Sequence, residues 1–226
     1  MLAPVRSFLN LFLQSACPLC QRATPTEFCA NCTRQLQQNK LPNPAQFWQE
    51  QPAVFAWGWY GGNVRQAIRQ LKYDHQPQIA RPLGQWLAQS WLDASLDRSP
   101  MIVVPIPMHG EKQKQRGYNQ AALIAQSFCH FTGHSMQVNG LERVRSTEAQ
   151  FGLSAAQREH NLLQAFKIGK AFQKNKPHHP VLLLDDIYTT GATIKATTQV
   201  LHQQGIRVRG VAILAKARPW KDEANS

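Results

Sequence analysis

The 226-residue sequence predicts an α/β protein: a mostly parallel sheet flanked by helices, preceded by a small zinc-ribbon-like module. Three observations carry that expectation. From residue 101 onward, short apolar runs alternate with stretches of helical periodicity. Residues 181–184 (Val-Leu-Leu-Leu) are apolar at every position, the pattern of a strand buried on both faces. Four of the five cysteines fall between positions 17 and 32 as two C-x-x-C pairs.

The pairs are Cys17-Pro18-Leu19-Cys20 and Cys29-Ala30-Asn31-Cys32. Each pair makes a tight knuckle that aims two sulfurs at one tetrahedral ion, and four thiolates leave no open position. The expected ion is a structural Zn²⁺ held by Cys17, Cys20, Cys29 and Cys32, supplying folding free energy to a module poor in apolar residues. Cys129 stands apart in an apolar stretch and reads as a core residue. Residues 1–40 thus form the four-cysteine module.

Residues 41–53, with Pro42, Pro44 and Pro52, read as a loose connector. The aromatic stretch 54–60 reads as a strand, in which Trp57, Trp59 and Tyr60 are either core or a surface for stacking. A turn at Gly61-Gly62-Asn63 follows, with Asn63 expected as the N-cap of the next helix. That helix places Val64, Ala67, Ile68 and Leu71 on one face and Arg65, Arg69 and Lys72 on another. The basic stripe is either a solvated face or a contact for an anionic ligand.

Residues 101–106 form a short apolar run, residues 119–131 have helical periodicity, and a weaker strand is expected near 136–138. Ser154 opens a capping-box pattern for a further helix. Ile194, Thr197 and Leu201 fit a helix stopping at Gly205, a natural C-terminal cap. Residues 208–214 supply the last strand. The main domain spans 54–220, and 221–226 form a tail.

The chemistry-bearing segment follows the all-apolar strand. Asp185-Asp186 places two carboxylates at the carboxyl edge of the sheet, where ligands of open α/β sheets bind. Thr189-Thr190-Gly191-Ala192-Thr193 then leads into a helix whose first N–H groups are unpaired and whose dipole favours an anion. Gly191 permits close backbone approach, and the threonines add hydroxyl donors. Carboxylates accept hydrogen bonds from hydroxyls, so a ribose diol fits beside a phosphate on the loop. The motif reads as a ribose 5-phosphate site.

The net charge of +12, from 25 basic and 13 acidic side chains, suits anionic partners as well as plain solubility. No apolar run is long enough to span a bilayer. The apolar segment 8–13 is short and interrupted by Asn10, so a cytoplasmic protein is expected.

The string from Val181 to Thr193 resembles the phosphoribosyl-diphosphate motif of type I phosphoribosyltransferases. Together with Pro105-Ile106-Pro107, Arg116-Gly117-Tyr118-Asn119-Gln120, Gln150, Arg158, Asn161 and the four cysteines, it resembles the ComF family of competence proteins over nearly the whole chain. The resemblance implies a type I phosphoribosyltransferase fold with residues 54–92 as a hood over the base. It implies binding of phosphoribosyl diphosphate with Mg²⁺, with Asp185 and Asp186 on the ribose hydroxyls and Thr189 to Thr193 on the 5′-phosphate. Arg116 is the implied catalytic cation facing the diphosphate, with Lys112 and Lys114 secondary. Residues 143–158 occupy the position of the loop that covers the site in this fold. Lys72, Arg143, Arg145 and Arg158 are candidates for diphosphate or nucleic-acid contacts. The implied role is in DNA uptake during natural transformation, with single-stranded DNA or uptake-machinery proteins as partners, in the cytoplasm or at the inner membrane face. A metabolic transferase acting on an unidentified base or amine, and a zinc-ribbon nucleic-acid binder, are the alternatives. Turnover itself is left open.

Overall fold

The computed structural model describes residues 15–96, 99–145 and 161–218. The capping-box helix expected from Ser154, together with Gln150 and Arg158, lies outside the described residues.

Two residues each form β1 (Ser15–Ala16) and β2 (Ala23–Thr24), an antiparallel ribbon that carries the first knuckle, and α1 (Ala30–Gln37) carries the second. The main sheet comprises β3 (Val54–Trp59), β4 (Ile102–Pro105), β5 (Ser135–Met136), β8 (Val181–Tyr188) and β9 (Val208–Lys216). Its order is β3-β9-β8-β4-β5, and every neighbouring pair is parallel. A second antiparallel ribbon pairs β6 (Leu141–Arg143) with β7 (Phe166–Ile168). The helices between are α2 (Gly62–Tyr73), α3 (Ala80–Ala94), α4 (Gly110–Arg116), α5 (Gln120–Thr132), α6 (Lys170–Lys174) and α7 (Ala192–Gln203). The expected parallel α/β sheet flanked by helices is therefore the architecture found.

Both faces of the sheet are covered, which explains its uninterrupted apolar runs. Phe55, Trp57, Val103, Leu182, Leu184, Ala212 and Leu214 pack toward α2, α3 and α5. Their alternating neighbours Val54, Ala56, Val104, Leu183, Val211 and Ile213 pack toward α7, the β6–β7 ribbon and α6. Each fully buried Leu or Val contributes roughly 1.5–3 kcal/mol of transfer free energy.

Strands β4 and β8 lie side by side at the centre. From β4 the chain goes through α5 to β5 on one flank; from β8 it goes through α7 to β9 on the other. Their carboxyl ends therefore frame a topological switch point, a crevice where ligands of open parallel sheets bind.

Two sequence expectations need correction. Asn63 is not the N-cap of α2: Gly61 holds that position, and the Asn63 amide instead donates to Gln35 Oε1 in α1 at 2.6 Å. The 41–53 connector is not loose. Leu41 N–H donates to Trp57 O, Ala56 N–H to Pro44 O and Val54 N–H to Phe47 O, so the connector covers the outer edge of β3. An open parallel edge would leave those groups unpaired and adhesive. The stretch 54–92, expected as a hood, contributes its first strand to the sheet itself and two helices to one face.

The cysteine module is also continuous with the main core. Phe28 stacks on Trp86 of α3 at 6.0 Å, and Trp86 stacks on Trp57 of β3 at 5.7 Å. Gln66 and Gln70 of α2 donate to the carbonyls of Leu19 and Pro18 in the first knuckle. Cys17, Cys32 and Leu36 are buried in the same apolar cluster as Leu71 and Leu83.

Among the described residues, no helix is long and apolar enough to cross a membrane.

Candidate functional site

The expected loop forms as the spacing implies. Strand β8 runs through Asp185 and Asp186 to Tyr188, and Gly191 is the N-cap of α7 with φ 77°. A Cβ at Gly191 would stand 2.2 Å from Tyr188 Oη, so both the backbone angle and the Tyr188 ring require glycine there. Thr189 and Thr190 are exposed, and the Thr190 hydroxyl accepts from Ala192 N–H at 3.4 Å. The first turn of α7 thus presents backbone donors and hydroxyls at the crevice edge. At its other end α7 closes at Gly205, whose N–H donates to His202 O while Ile206 N–H donates to Leu201 O.

The two acids differ. Asp186 is buried, and its carboxylate meets Lys72 Nζ from α2 at 2.5 Å. Burial works against the Lys72 charge, but Asp186 and then Asp185 outweigh it and hold the ammonium above the ordinary lysine value. Asp185 is half-buried and accepts from Asp186 N–H at 2.8 Å. Burial, and then repulsion from Asp186, push the Asp185 carboxyl well above the ordinary carboxylate range.

Three further cations gather at this edge. Arg143, half-buried with its guanidinium 5.3 Å from the Phe166 ring, is near enough for Asp185 to stabilise its charge against the opposing effect of burial. Lys112 is pulled down first by burial and then by the like charges of Arg143 and Arg116. Arg116, the last residue of α4, lies over the Tyr73 ring at 5.4 Å and donates to Gln120 Oε1. Like charges held close together raise the local potential for an anion.

The segment from Arg116 to Gln120 acts as a clamp. Tyr118 Oη donates to Leu71 O at 2.7 Å, tying it to the end of α2. The Asn119 amide donates to Ile106 O at 2.9 Å, tying it to the end of β4, while its oxygen caps α5 through Ala121 N–H. These bonds fix the start of α5 relative to α2 and to the end of β4.

Of the residues singled out from sequence, Lys72, Asp185 and Asp186 meet at the end of β8, Arg143 is near enough to feel the Asp185 charge, and Lys112 lies near Arg143 and Arg116. Arg145 does not join them: it is exposed and donates to Gln164 Oε1 at 2.6 Å. Lys114 is exposed on α4. Trp57 is fully buried, so of its two readings the core one holds. Sequence reasoning passed over Tyr73 and gave Tyr188, within the Val181–Thr193 string, no role of its own. The available signal for Tyr73 was an aromatic ending α2 off its apolar face. A groove of about 1470 Å³ borders the same turn: Tyr188, Thr190, Gly191 and Ala192 line it together with Trp48, Glu50, Lys195 and Arg209. The acid pair is not part of its lining.

The four cysteines form one cluster. The Sγ atoms of Cys17, Cys20, Cys29 and Cys32 all lie within 4.8 Å of one another, with Cys20 and Cys29 at 3.5 Å. Four sulfurs around a zinc at about 2.3 Å would sit roughly 3.8 Å apart, so the cluster fits a closed tetrahedral site. The backbone N–H of Cys32, in the first turn of α1, draws the Cys29 thiol down to about 7, while burial pushes the Cys32 thiol up. These four residues are positioned to bind a metal.

No protein-family model matches the chain. Among solved structures, a hypoxanthine phosphoribosyltransferase from Staphylococcus aureus is 16% identical, with a TM-score of 0.38 over 67% of this chain and 69% of that one. An orotate phosphoribosyltransferase from Aeropyrum pernix is 16% identical, with a TM-score of 0.34 over 66% and 64%. Among curated proteins, the DNA utilization protein YhgH of Escherichia coli is 28% identical over 84% of this chain and 85% of its own length. Competence protein ComFC of Bacillus subtilis is 22% identical over 88% and 77%. Competence protein F of Haemophilus influenzae is 30% identical over 223 residues, 94% of this chain and 95% of the relative. That identity across nearly the whole of both chains shows that the chain belongs to the competence protein F (ComF) family.

Proposed function

We propose that the protein serves DNA uptake in natural transformation and does so with a working site for phosphoribosyl diphosphate at the β4–β8 switch point. The observation that carries the site is the continuous unit of β8, Asp185-Asp186 and the Gly191-capped start of α7. The names of the relatives, competence protein and DNA utilization protein, support the biological setting.

In this reading the Thr189–Thr193 turn takes the 5′-phosphate on N–H groups and hydroxyls, and Asp185 and Asp186 accept from the ribose diol. Arg116, Lys112 and Arg143 neutralise the diphosphate. Mg²⁺ suits oxygens of diphosphate and ribose while keeping its waters, and supplies charge neutralisation when bound. Lys72 already neutralises Asp186, so ligand hydroxyls compete with or insert beside that pair. Cys17, Cys20, Cys29 and Cys32 hold a structural Zn²⁺. Single-stranded DNA or uptake proteins are the macromolecular partners, and the exposed Arg65 and Arg69 of α2 suit a phosphate backbone. The setting is the cytoplasm or the inner membrane face.

The test of the site is calorimetric titration of phosphoribosyl diphosphate with Mg²⁺ into the wild type and Asp186→Ala. Binding by the wild type and weaker binding by the variant is expected; no heat from either removes the site assignment. Deleting the gene in a competent strain tests the setting: unchanged transformation by external DNA would refute it.

A second reading, turnover, is favoured by Arg143 near Asp185 with Lys112 and Arg116 next to it. Diphosphate would leave the ribose anomeric carbon as a nitrogen nucleophile arrives, with positioning and charge stabilisation supplying the catalysis. Diphosphate release with one member of a panel of bases and amines is the expected result; none with any member counts against it.

A further inference from the structure

The groove along α7 meets the turn that the sugar-phosphate reading assigns to the 5′-phosphate. Thr190, Gly191 and Ala192 line it, and from there it follows one face of the helix through Lys195, Gln199 and Gln203. At 1.5 Å per residue, the stretch from Gly191 to Gln203 is roughly 18 Å long. Further lining residues come from the connector, among them Trp48 and Glu50, and from the start of β9, among them Arg209. The volume of about 1470 Å³ exceeds the ~300–1,000 Å³ of an ordinary small-molecule site.

A terminal phosphate monoester needs nothing beyond the turn itself. A phosphodiester carries a second ester oxygen, and the chain on that oxygen must leave the turn by a route other than the one taken by the sugar on the acid pair. The groove supplies such a route, because its lining includes the turn and leaves out Asp185 and Asp186. Its charge suits a phosphate backbone: Lys195 and Arg209 are cationic, and Glu50 is the one acid among the lining residues. The Arg209 guanidinium is steadied over the Trp48 ring at 4.9 Å. The acid pair then sets the polarity of the chain. Carboxylates accept from hydroxyls, and within a DNA strand every 3′ oxygen is esterified except that of the last nucleotide.

We infer that the site takes the 3′ end of a DNA single strand. The terminal 3′-OH donates to the acid pair, and the phosphodiester on the 5′ oxygen of the same nucleotide sits on the Thr189–Thr193 turn. The rest of the strand runs toward its 5′ end through the α7 groove. This rests on the sugar-phosphate reading of the site and deepens it, since the ligand becomes the end of a polymer. At ~3.4 Å per stacked nucleotide, the groove along α7 holds about five. Gln199 and Gln203 offer amide groups that serve any base.

The experiment follows the fluorescence anisotropy of decathymidylate labelled at its 5′ end, with Mg²⁺, in two forms: one with a free 3′-OH and one ending in a 3′-phosphate. The wild type is expected to bind the free 3′-OH form about tenfold more tightly, and unlabelled ribose 5-phosphate is expected to displace it. Gln199→Glu with Gln203→Glu changes two exposed positions of the groove beyond the turn. That double variant is expected to weaken the strand about fivefold and to leave ribose 5-phosphate binding, read by calorimetry, unchanged. An unchanged melting temperature checks that it folds; with a lowered one, the comparison of the two strand ends on the wild type decides alone. Equal binding of the two ends, or a strand that ribose 5-phosphate does not displace, refutes the seating of the 3′ end. Polyglutamate displacing the strand as well as ribose 5-phosphate does would make the groove a site for an acidic peptide and refutes it too. In each of those cases the sugar-phosphate site stands on its own calorimetric signal. If ribose 5-phosphate gives no heat with the wild type, the sugar-phosphate reading and the strand-end site fall together.

Discussion

Lys72 Nζ lies 2.5 Å from a carboxylate oxygen of Asp186, joining the last turn of α2 to the end of β8 across the mouth of the crevice. The carboxylate side is almost wholly removed from water, and the lysine is one-fifth exposed. Such a pair contributes little net stability over an apolar pair, but breaking it leaves a buried charge alone.

Lys72→Met is therefore expected to destabilise the fold by about 3 kcal/mol, read from the urea midpoint. Lys72→Met with Asp186→Asn should recover much of that loss, since the stranded charge is gone. A double variant no better than Lys72→Met would show that the lysine acts by packing rather than by charge.

Asp185 gives a pH signature. An acid whose folded pKa lies above its unfolded value favours the fold at low pH, and that contribution is lost as pH rises through the raised value. Burial, Asp186, Lys72 and Arg143 all bear on this carboxyl. Asp185→Asn should melt a few degrees higher than wild type at neutral pH, with the gap narrowing as pH falls toward the ordinary carboxylate range. A gap that widens on acidification would reverse the sign assigned to Asp185.

At Gly191, alanine must adopt a positive φ and clear the Tyr188 ring. Gly191→Ala should lower affinity for phosphoribosyl diphosphate at least tenfold while circular dichroism stays close to wild type, because the loop lies at the surface of an otherwise intact sheet. Unchanged affinity would mean that the phosphate does not use this turn.

Metal analysis should find one zinc per chain. Because Phe28, Trp86 and Trp57 stack from the cysteine module into β3, chelation should lower the melting temperature of the whole chain by an amount on the order of 10 °C and alter tryptophan fluorescence. Two independent transitions, with the main one insensitive to chelator, would show that the module is energetically separate.

Helices α3 and α5 cross tightly at Gly84, where a Cβ would stand 2.5 Å from Ile124 O and 2.6 Å from Ser127 Cβ. Gly84→Ala must push the helices apart, and a loss of about 1–3 kcal/mol is expected from denaturant unfolding. A neutral substitution would mean that the crossing yields without cost.

Several features were legible in sequence because their cause is local. The 181–184 run needs no distant partner to be recognised as doubly buried, and the Cys-x-x-Cys spacing sets the knuckle by itself. Asn119 precedes a periodic segment and does cap α5. Asn63 looked equivalent, yet it lost the cap to Gly61 because Gln35 of another helix offered a better partner. The 41–53 segment looked loose because its hydrogen bonds go to β3, and a backbone pairing has no side-chain signature.

The loop from Val181 to Thr193 illustrates the division most clearly. The sequence alone determined the strand, the acid pair, the glycine turn and the helix start, since each depends on residues within a few positions of one another. It also determined the set of four cysteines positioned to bind a metal. Only the tertiary structure decided that Lys72 meets Asp186, that Arg143 comes near Asp185 with Lys112 and Arg116 beside it, and that Arg116 lies over the exposed Tyr73 ring. The physical reason is distance along the chain. Charges from α2, α4 and β6 meet at one sheet edge because burying both faces of a parallel sheet brings those elements together, and hydrophobic burial carries no label for which charge will face which.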